Sequence, residues 1–102
     1  MKKAKVYGLV PSNDQEDIKY IGATSKPLKT RLKGHRTKFK NPDSRNKNSE
    51  LFLWGHNLYE KGLKPDIILV DEDVVDDIKF WEEHYINLFR CWGFNLLNSL
   101  VY

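Results

Sequence analysis

Apolar positions recur along this chain with two different periods. Residues 3–10 (Lys-Ala-Lys-Val-Tyr-Gly-Leu-Val) and 18–23 (Ile-Lys-Tyr-Ile-Gly-Ala) are rich in β-branched and aromatic side chains and predict two strands. The polar stretch Pro11 to Asp17 between them is turn chemistry, and so short a connection favours an antiparallel hairpin. A helical period follows. It starts at Ser25 or Lys26 with Pro27 in its first turn, and Leu28, Leu32 and Phe39 mark its apolar face. Residues 41–48 are a basic, turn-rich loop. A second helix is expected from about Ser49 to Lys61, with Leu51, Trp54, Gly55 and Leu58 on one face and Gly62 as its stop. Residues 66–70 (Asp-Ile-Ile-Leu-Val) read as a buried third strand. The last helix is expected from an N-cap near Asp73 to about Arg90, with Val74, Ile78, Trp81, Tyr85, Ile86 and Phe89 on its apolar face.

Three charged or titratable residues break this pattern. Arg31 and His35 stand three and seven positions after Leu28, on the apolar face of the first helix. Glu82 lies within the apolar face of the last helix, whereas its neighbour Glu83 falls on the opposite face with Lys79, Asn87 and Arg90. A buried carboxylate without a partner is costly, so Glu82 implies one. A salt bridge to Arg31 and a bound divalent cation both satisfy that requirement. If the hairpin pairs symmetrically about its loop, Tyr7 and Tyr20 stand side by side on one face of the sheet. The acidic run Asp71-Glu72-Asp73, with Asp76 and Asp77 beyond it, lacks the glycine and closing glutamate of a calcium loop, and reads instead as charge stabilising a helix N-terminus.

The chain has 102 residues, enough for one domain that buries roughly 60–68% of its unfolded surface. At 40% hydrophobic and 13% aromatic residues it is a globular composition. One cysteine, Cys91, makes no internal disulfide, which points to a reducing intracellular compartment, cytoplasmic or nucleoid-associated. No long apolar region follows Lys2 and Lys3, and the run Ile67 to Val70 is too short to span a bilayer, so no membrane partner is expected. The net charge of +3 conceals a division. Residues 1–47 hold 13 Lys and Arg against four acidic residues, and residues 48–102 hold four against ten. A basic half is the footprint of a phosphate-backbone binder, or simply a solvated surface. The inward set of Tyr7, Tyr20, Arg31, His35 and Glu82 suits phosphodiester hydrolysis: hydroxyls and an imidazole for proton transfer, a fixed cation, and a carboxylate for a metal. There is no glycine-rich phosphate loop, no glycosidase-like carboxylate pair and no Cys/His cluster for zinc.

These residues, in this order, resemble the GIY-YIG nuclease domain found in intron-homing endonucleases, excision-repair nuclease subunits and some restriction enzymes. Tyr20-Ile21-Gly22 is the YIG element verbatim. Lys5-Val6-Tyr7 stands at the GIY element, with lysine and valine replacing its first two residues and the tyrosine kept. Arg31 and His35 match the family's helix positions, and Glu82 precedes the aromatic-isoleucine pair Tyr85-Ile86 by three residues. Gly93-Phe94-Asn95 matches the closing element and makes Asn95 its asparagine. The resemblance implies an α+β fold, a small three-stranded antiparallel sheet flanked by helices in the order β-β-α-α-β-α, as one domain over residues 1–102. It implies a metal-dependent DNA endonuclease in which Tyr7 is the general base and Tyr20 its hydrogen-bonding partner. Arg31 would stabilise the phosphate, His35 would assist proton transfer or orient water, Glu82 would bind one Mg²⁺ or Mn²⁺, and Asn95 would support the site by hydrogen bonding. The first helix and the following loop, through Lys26, Lys29, Lys33, Arg36, Lys40, Arg45 and Lys47, would approach the DNA backbone, of intact, branched or nicked substrate. One such site cuts one strand, so a double-strand break requires a transient dimer on DNA or two visits. The alternative is a catalytically inactive nucleic-acid-binding module of the same fold.

Overall fold

Strand β1 (Lys2–Pro11) is the centre of the molecule because its side chains are apolar on both faces. Ala4, Val6, Tyr7, Leu9 and Val10 are all essentially inaccessible, a pattern that fits only a strand covered on both sides. The computed structural model of the chain describes residues 2–40 and 50–98. Within it β1 pairs antiparallel with β2 (Tyr20–Thr24) on one side and with β3 (Pro65–Val75) on the other, giving the sheet order β2-β1-β3. Helices α1 (Leu28–Lys40), α2 (Glu50–Glu60) and α3 (Ile78–Cys91) complete the order β-β-α-α-β-α, an α+β fold.

Alternation along β1 sorts the core into two layers. Val6 and Val10 point to α3 and join Ile18, Ile21, Ile86, Phe89 and Leu96. Tyr7 and Leu9 point the other way and join Phe39 of α1 and Phe52 of α2. Each such fully buried side chain stabilises the fold by about 1.5–3 kcal/mol. The approach of α1 to α2 depends on Gly55, where a Cβ would fall inside the Phe39 ring.

Local chemistry sets the helix ends. The Pro27 carbonyl accepts the first helical bond, from Arg31 N–H, so α1 begins at Leu28, two or three residues beyond the expected start. Gly62 (φ 76°) and Gly93 (φ 93°) occupy the left-handed position after α2 and α3. In both, the following amide returns to the helix, Leu63 N–H to Leu58 O and Phe94 N–H to Phe89 O, as in a Schellman cap.

The expected start of the last helix is corrected. Asp73 is not its N-cap, and the run 71–75 continues β3. Asp77 caps α3, accepting from Phe80 N–H at 3.1 Å. The cause is tertiary. Lys2, Lys3, Ala4 and Lys5 extend β1 to meet Val75, Val74, Asp73 and Glu72, and Lys3 and Lys5 both ion-pair with Glu72. Ladder pairing with β1 thus overrides the low strand preference of an acidic run, with lysines opposite it in place of like charges. Val74 leaves the last helix's apolar face and is exposed on the sheet. The register shift between Val6 and Tyr7 places an extra residue in β3, a bulge beside Tyr7.

Candidate functional site

Tyr7 is where the polar residues converge. Its register partner on β2 is Gly22, and the Tyr7 ring lies across that glycine so closely that a Cβ there would overlap the phenol. Gly22 therefore lets the ring lie flat over the edge strand. The hydroxyl then meets the inner face of α1, where Arg31 Nε donates to it at 3.0 Å and His35 Nε2 lies 2.9 Å away. The helical spacing of four puts both partners on one face, as the sequence predicts.

His35 is 4% exposed, and burial, helped by the Arg31 and Lys38 charges, pushes its pKa down to about 4. The imidazole is neutral at pH 7, and in its Nδ1–H tautomer Nε2 accepts from the Tyr7 O–H. In that tautomer Tyr7 receives a guanidinium hydrogen bond while donating its own to an imidazole. Burial raises the Tyr7 pKa; the Arg31 hydrogen bond and charge work against that rise.

Tyr20 differs from expectation. It is opposite Leu9, not Tyr7, so the two phenols are diagonal neighbours with ring centroids 6.4 Å apart. Its hydroxyl makes no hydrogen bond among the described residues, and its ring instead packs edge-on against His35 at 5.6 Å. The hydrogen-bonding partners of Tyr7 are on the helix, where its ring, lying across Gly22, meets Arg31 and His35. Burial, first, and the neighbouring Tyr7 and Glu82 charges hold the Tyr20 pKa well above its ordinary value.

Glu82 arrives from α3 at the outer edge of β2. Its Oε2 accepts from Ala23 N–H at 3.1 Å. No ion pair with Arg31 forms among the described residues, although the Arg31 charge acts on it. Burial raises the Glu82 pKa, with the Ala23 amide and Arg31 opposing. Glu82 is therefore a half-buried carboxylate with one oxygen held by backbone and no cation paired to it among the described residues.

Asn95 is exposed and its side chain has no partner among the described residues. Sequence reasoning missed Asn98. Its Oδ1 accepts from Ile21 N–H at 2.9 Å and its Nδ2 donates to Ile21 O at 2.7 Å, clamping the residue between Tyr20 and Gly22. The only signal in the sequence was a second amide three residues after Asn95. Of the expected DNA contacts, Lys26, Lys29 and Lys33 are exposed. Lys40 lies 5.1 Å over the Tyr59 ring, and Arg36 Nε donates to the Pro65 carbonyl at 3.0 Å, a tie between α1 and β3. Arg45 and Lys47 lie outside the described residues. A cleft of about 330 Å³ between Lys19 and Trp54 is lined by none of the site residues.

No family model, curated protein or solved structure matches this chain. Among the described residues no helix is long and apolar enough to cross a membrane, and no three His, Cys, Asp or Glu side chains gather as a metal cage. The donor set does fit a hard cation held through a single carboxylate. Mg²⁺ characteristically keeps several waters and takes phosphate oxygens as further ligands, so it requires no protein cage. Glu82, half-buried and with one oxygen free of the backbone, is the residue that would hold it.

Proposed function

We propose that this chain is a metal-dependent DNA endonuclease of the GIY-YIG type. The observation that carries the reading is the Tyr7 hydroxyl held between Arg31 Nε and His35 Nε2. A structural tyrosine needs one partner. This one is hydrogen-bonded from both sides, and the charge of the half-buried Glu82, at the outer edge of β2, acts on it.

In the reaction, Tyr7 takes a proton from the attacking water as its own proton passes to the neutral His35. Arg31 has no other side-chain hydrogen bond among the described residues, so its remaining N–H groups donate to the phosphoryl oxygens, where negative charge accumulates. A divalent ion on Glu82 would supply Lewis-acid polarisation of the phosphate and stabilise the leaving oxygen. Exposed Lys26, Lys29 and Lys33 hold the backbone electrostatically.

The test is nicking of supercoiled plasmid, with Mg²⁺ or Mn²⁺ and with EDTA, by the wild-type, Glu82→Gln and Glu83→Gln proteins. Wild type and Glu83→Gln nick only with metal, and Glu82→Gln binds DNA without nicking. Binding with no metal-dependent nicking would instead identify a non-catalytic module. Loss of cleavage in Glu83→Gln but not Glu82→Gln would refute the site itself.

A further inference from the structure

We infer that Lys5, with Lys3, forms a second phosphate subsite on the sheet beside Tyr7, held in the free protein by Glu72 as an internal stand-in for the anion. The inference rests on the nuclease reading for its substrate and extends it to residues outside the catalytic set.

Lys3, Lys5 and Tyr7 alternate along β1, so their side chains leave the same face. The β1–β2 register is regular there, with Lys5 opposite Thr24 and Tyr7 opposite Gly22 on adjacent rungs of that face. Two residues along a strand cover roughly 6.8 Å. That is the scale on which neighbouring phosphates follow one another along one strand of DNA. Lys5 and Tyr7 thus rise from neighbouring rungs of one face, Lys5 turned to Glu72 on the β3 side and the Tyr7 hydroxyl reaching over Gly22 on the β2 side.

On the other side, Glu72 is opposite Lys5 across β1–β3. Its two carboxylate oxygens are divided between the lysines, Oε1 with Lys3 and Oε2 with Lys5, each at 3.6 Å. Two cations share one anion, so the cluster keeps net positive charge. A carboxylate forked between two ammonium groups offers the single negative charge and the two acceptor oxygens that a phosphodiester also offers. Ion pairs at this distance on a part-exposed surface contribute little, so an incoming phosphodiester can displace Glu72. The chain brings a third lysine back towards that rung. The Thr24 hydroxyl, on the Lys5 rung, accepts from the Lys26 amide, and the Lys26 side chain is exposed.

The test measures binding of a fluorescently labelled DNA duplex in EDTA across a salt series, for wild type, Lys5→Gln, Lys5→Arg and Glu72→Gln, with thermal melting as the check on folding. Lys5→Gln weakens binding several-fold and reduces the slope of log K against log salt by about one contact, about 0.9. Lys5→Arg restores the slope. Glu72→Gln binds about threefold or more tighter, a gain no loss of structure produces. A Lys5→Gln slope equal to wild type, or Glu72→Gln binding no tighter than wild type, overturns the inference. Because the readout is binding without metal, wild-type plasmid nicking is scored separately. Absent nicking with these binding changes intact would remove the enzyme and leave the subsite.

Discussion

A histidine under the sheet has a thermodynamic consequence. The neutral His35 ring is favoured in the folded state by burial, by Arg31 and by Lys38, while the unfolded chain protonates it near the ordinary 6.5. Between pH 6.5 and about 4 the unfolded state therefore binds more protons, and stability falls as pH falls through that window. The full difference corresponds to about 3 kcal/mol. Glu82 acts in the opposite sense, since its raised pKa makes the folded state the better proton acceptor just above the ordinary carboxylate range. Comparison with His35→Phe isolates the histidine. Phenylalanine keeps the contact with Phe39 and removes the titration. Urea unfolding at several pH values gives a wild-type-minus-variant stability difference that shrinks toward pH 4. A constant difference, or a His35 ring resonance titrating near pH 6.5, would show that the imidazole is not held neutral.

The site geometry depends on a contact between two strands, Tyr7 across Gly22. A methyl group at Gly22 overlaps the Tyr7 ring and hydroxyl, so Gly22→Ala must lift the phenol off Arg31 and His35. Overpacking of this kind costs about 1–3 kcal/mol, and displacement of a reacting group by an ångström lowers turnover by about 10²-fold. Gly34 is the contrast. It is exposed in α1, and a methyl group there would meet nothing within 4 Å, so Gly34→Ala raises stability by up to about 1 kcal/mol and leaves nicking unchanged. Thermal melting and plasmid-nicking rates of the two variants check both statements; equal nicking in both would remove the Tyr7–Gly22 argument. The hairpin, the three helices and the inward Arg31–His35 pair were legible in the sequence because each is a local pattern of spacing. The extension of β3 was not. Residues 71–75 have a helix-start composition, and it is pairing with residues 2–6 of β1, some 70 positions earlier, that makes them a strand. Strand register hid the Tyr7 surroundings: symmetric pairing puts Tyr20 beside Tyr7, and the real register gives that rung to Gly22.

The chain closes on itself around β2, the edge strand that carries Tyr20 and Gly22. An edge strand presents unpaired amides and carbonyls that must be satisfied or they invite another chain. Here late segments cover them: Leu97 N–H donates to Lys19 O at 2.6 Å, Asn98 holds both backbone groups of Ile21, and Glu82 accepts from Ala23 N–H. Arg90 Nη2 in turn donates to the Asn98 carbonyl at 2.7 Å, fixing the clamp to α3. Residues 77 positions apart thus hold the strand against which Tyr7 lies. Motif spacing selects Asn95 for this supporting role, but spacing does not reveal which amide faces β2. Asn98→Ala leaves the Ile21 N–H and C=O without their partners, at a cost of about 1–3 kcal/mol, and loosens the strand between Tyr20 and Gly22. Asn95→Ala, at an exposed position, changes stability by no more than about 0.5 kcal/mol. The two predictions separate in one experiment, guanidinium unfolding beside single-turnover cleavage. Asn98→Ala unfolds at lower denaturant and cleaves more slowly at a temperature where it is still folded, while Asn95→Ala follows wild type in both. The reverse order would return the supporting role to Asn95 and require a different arrangement of the chain along β2.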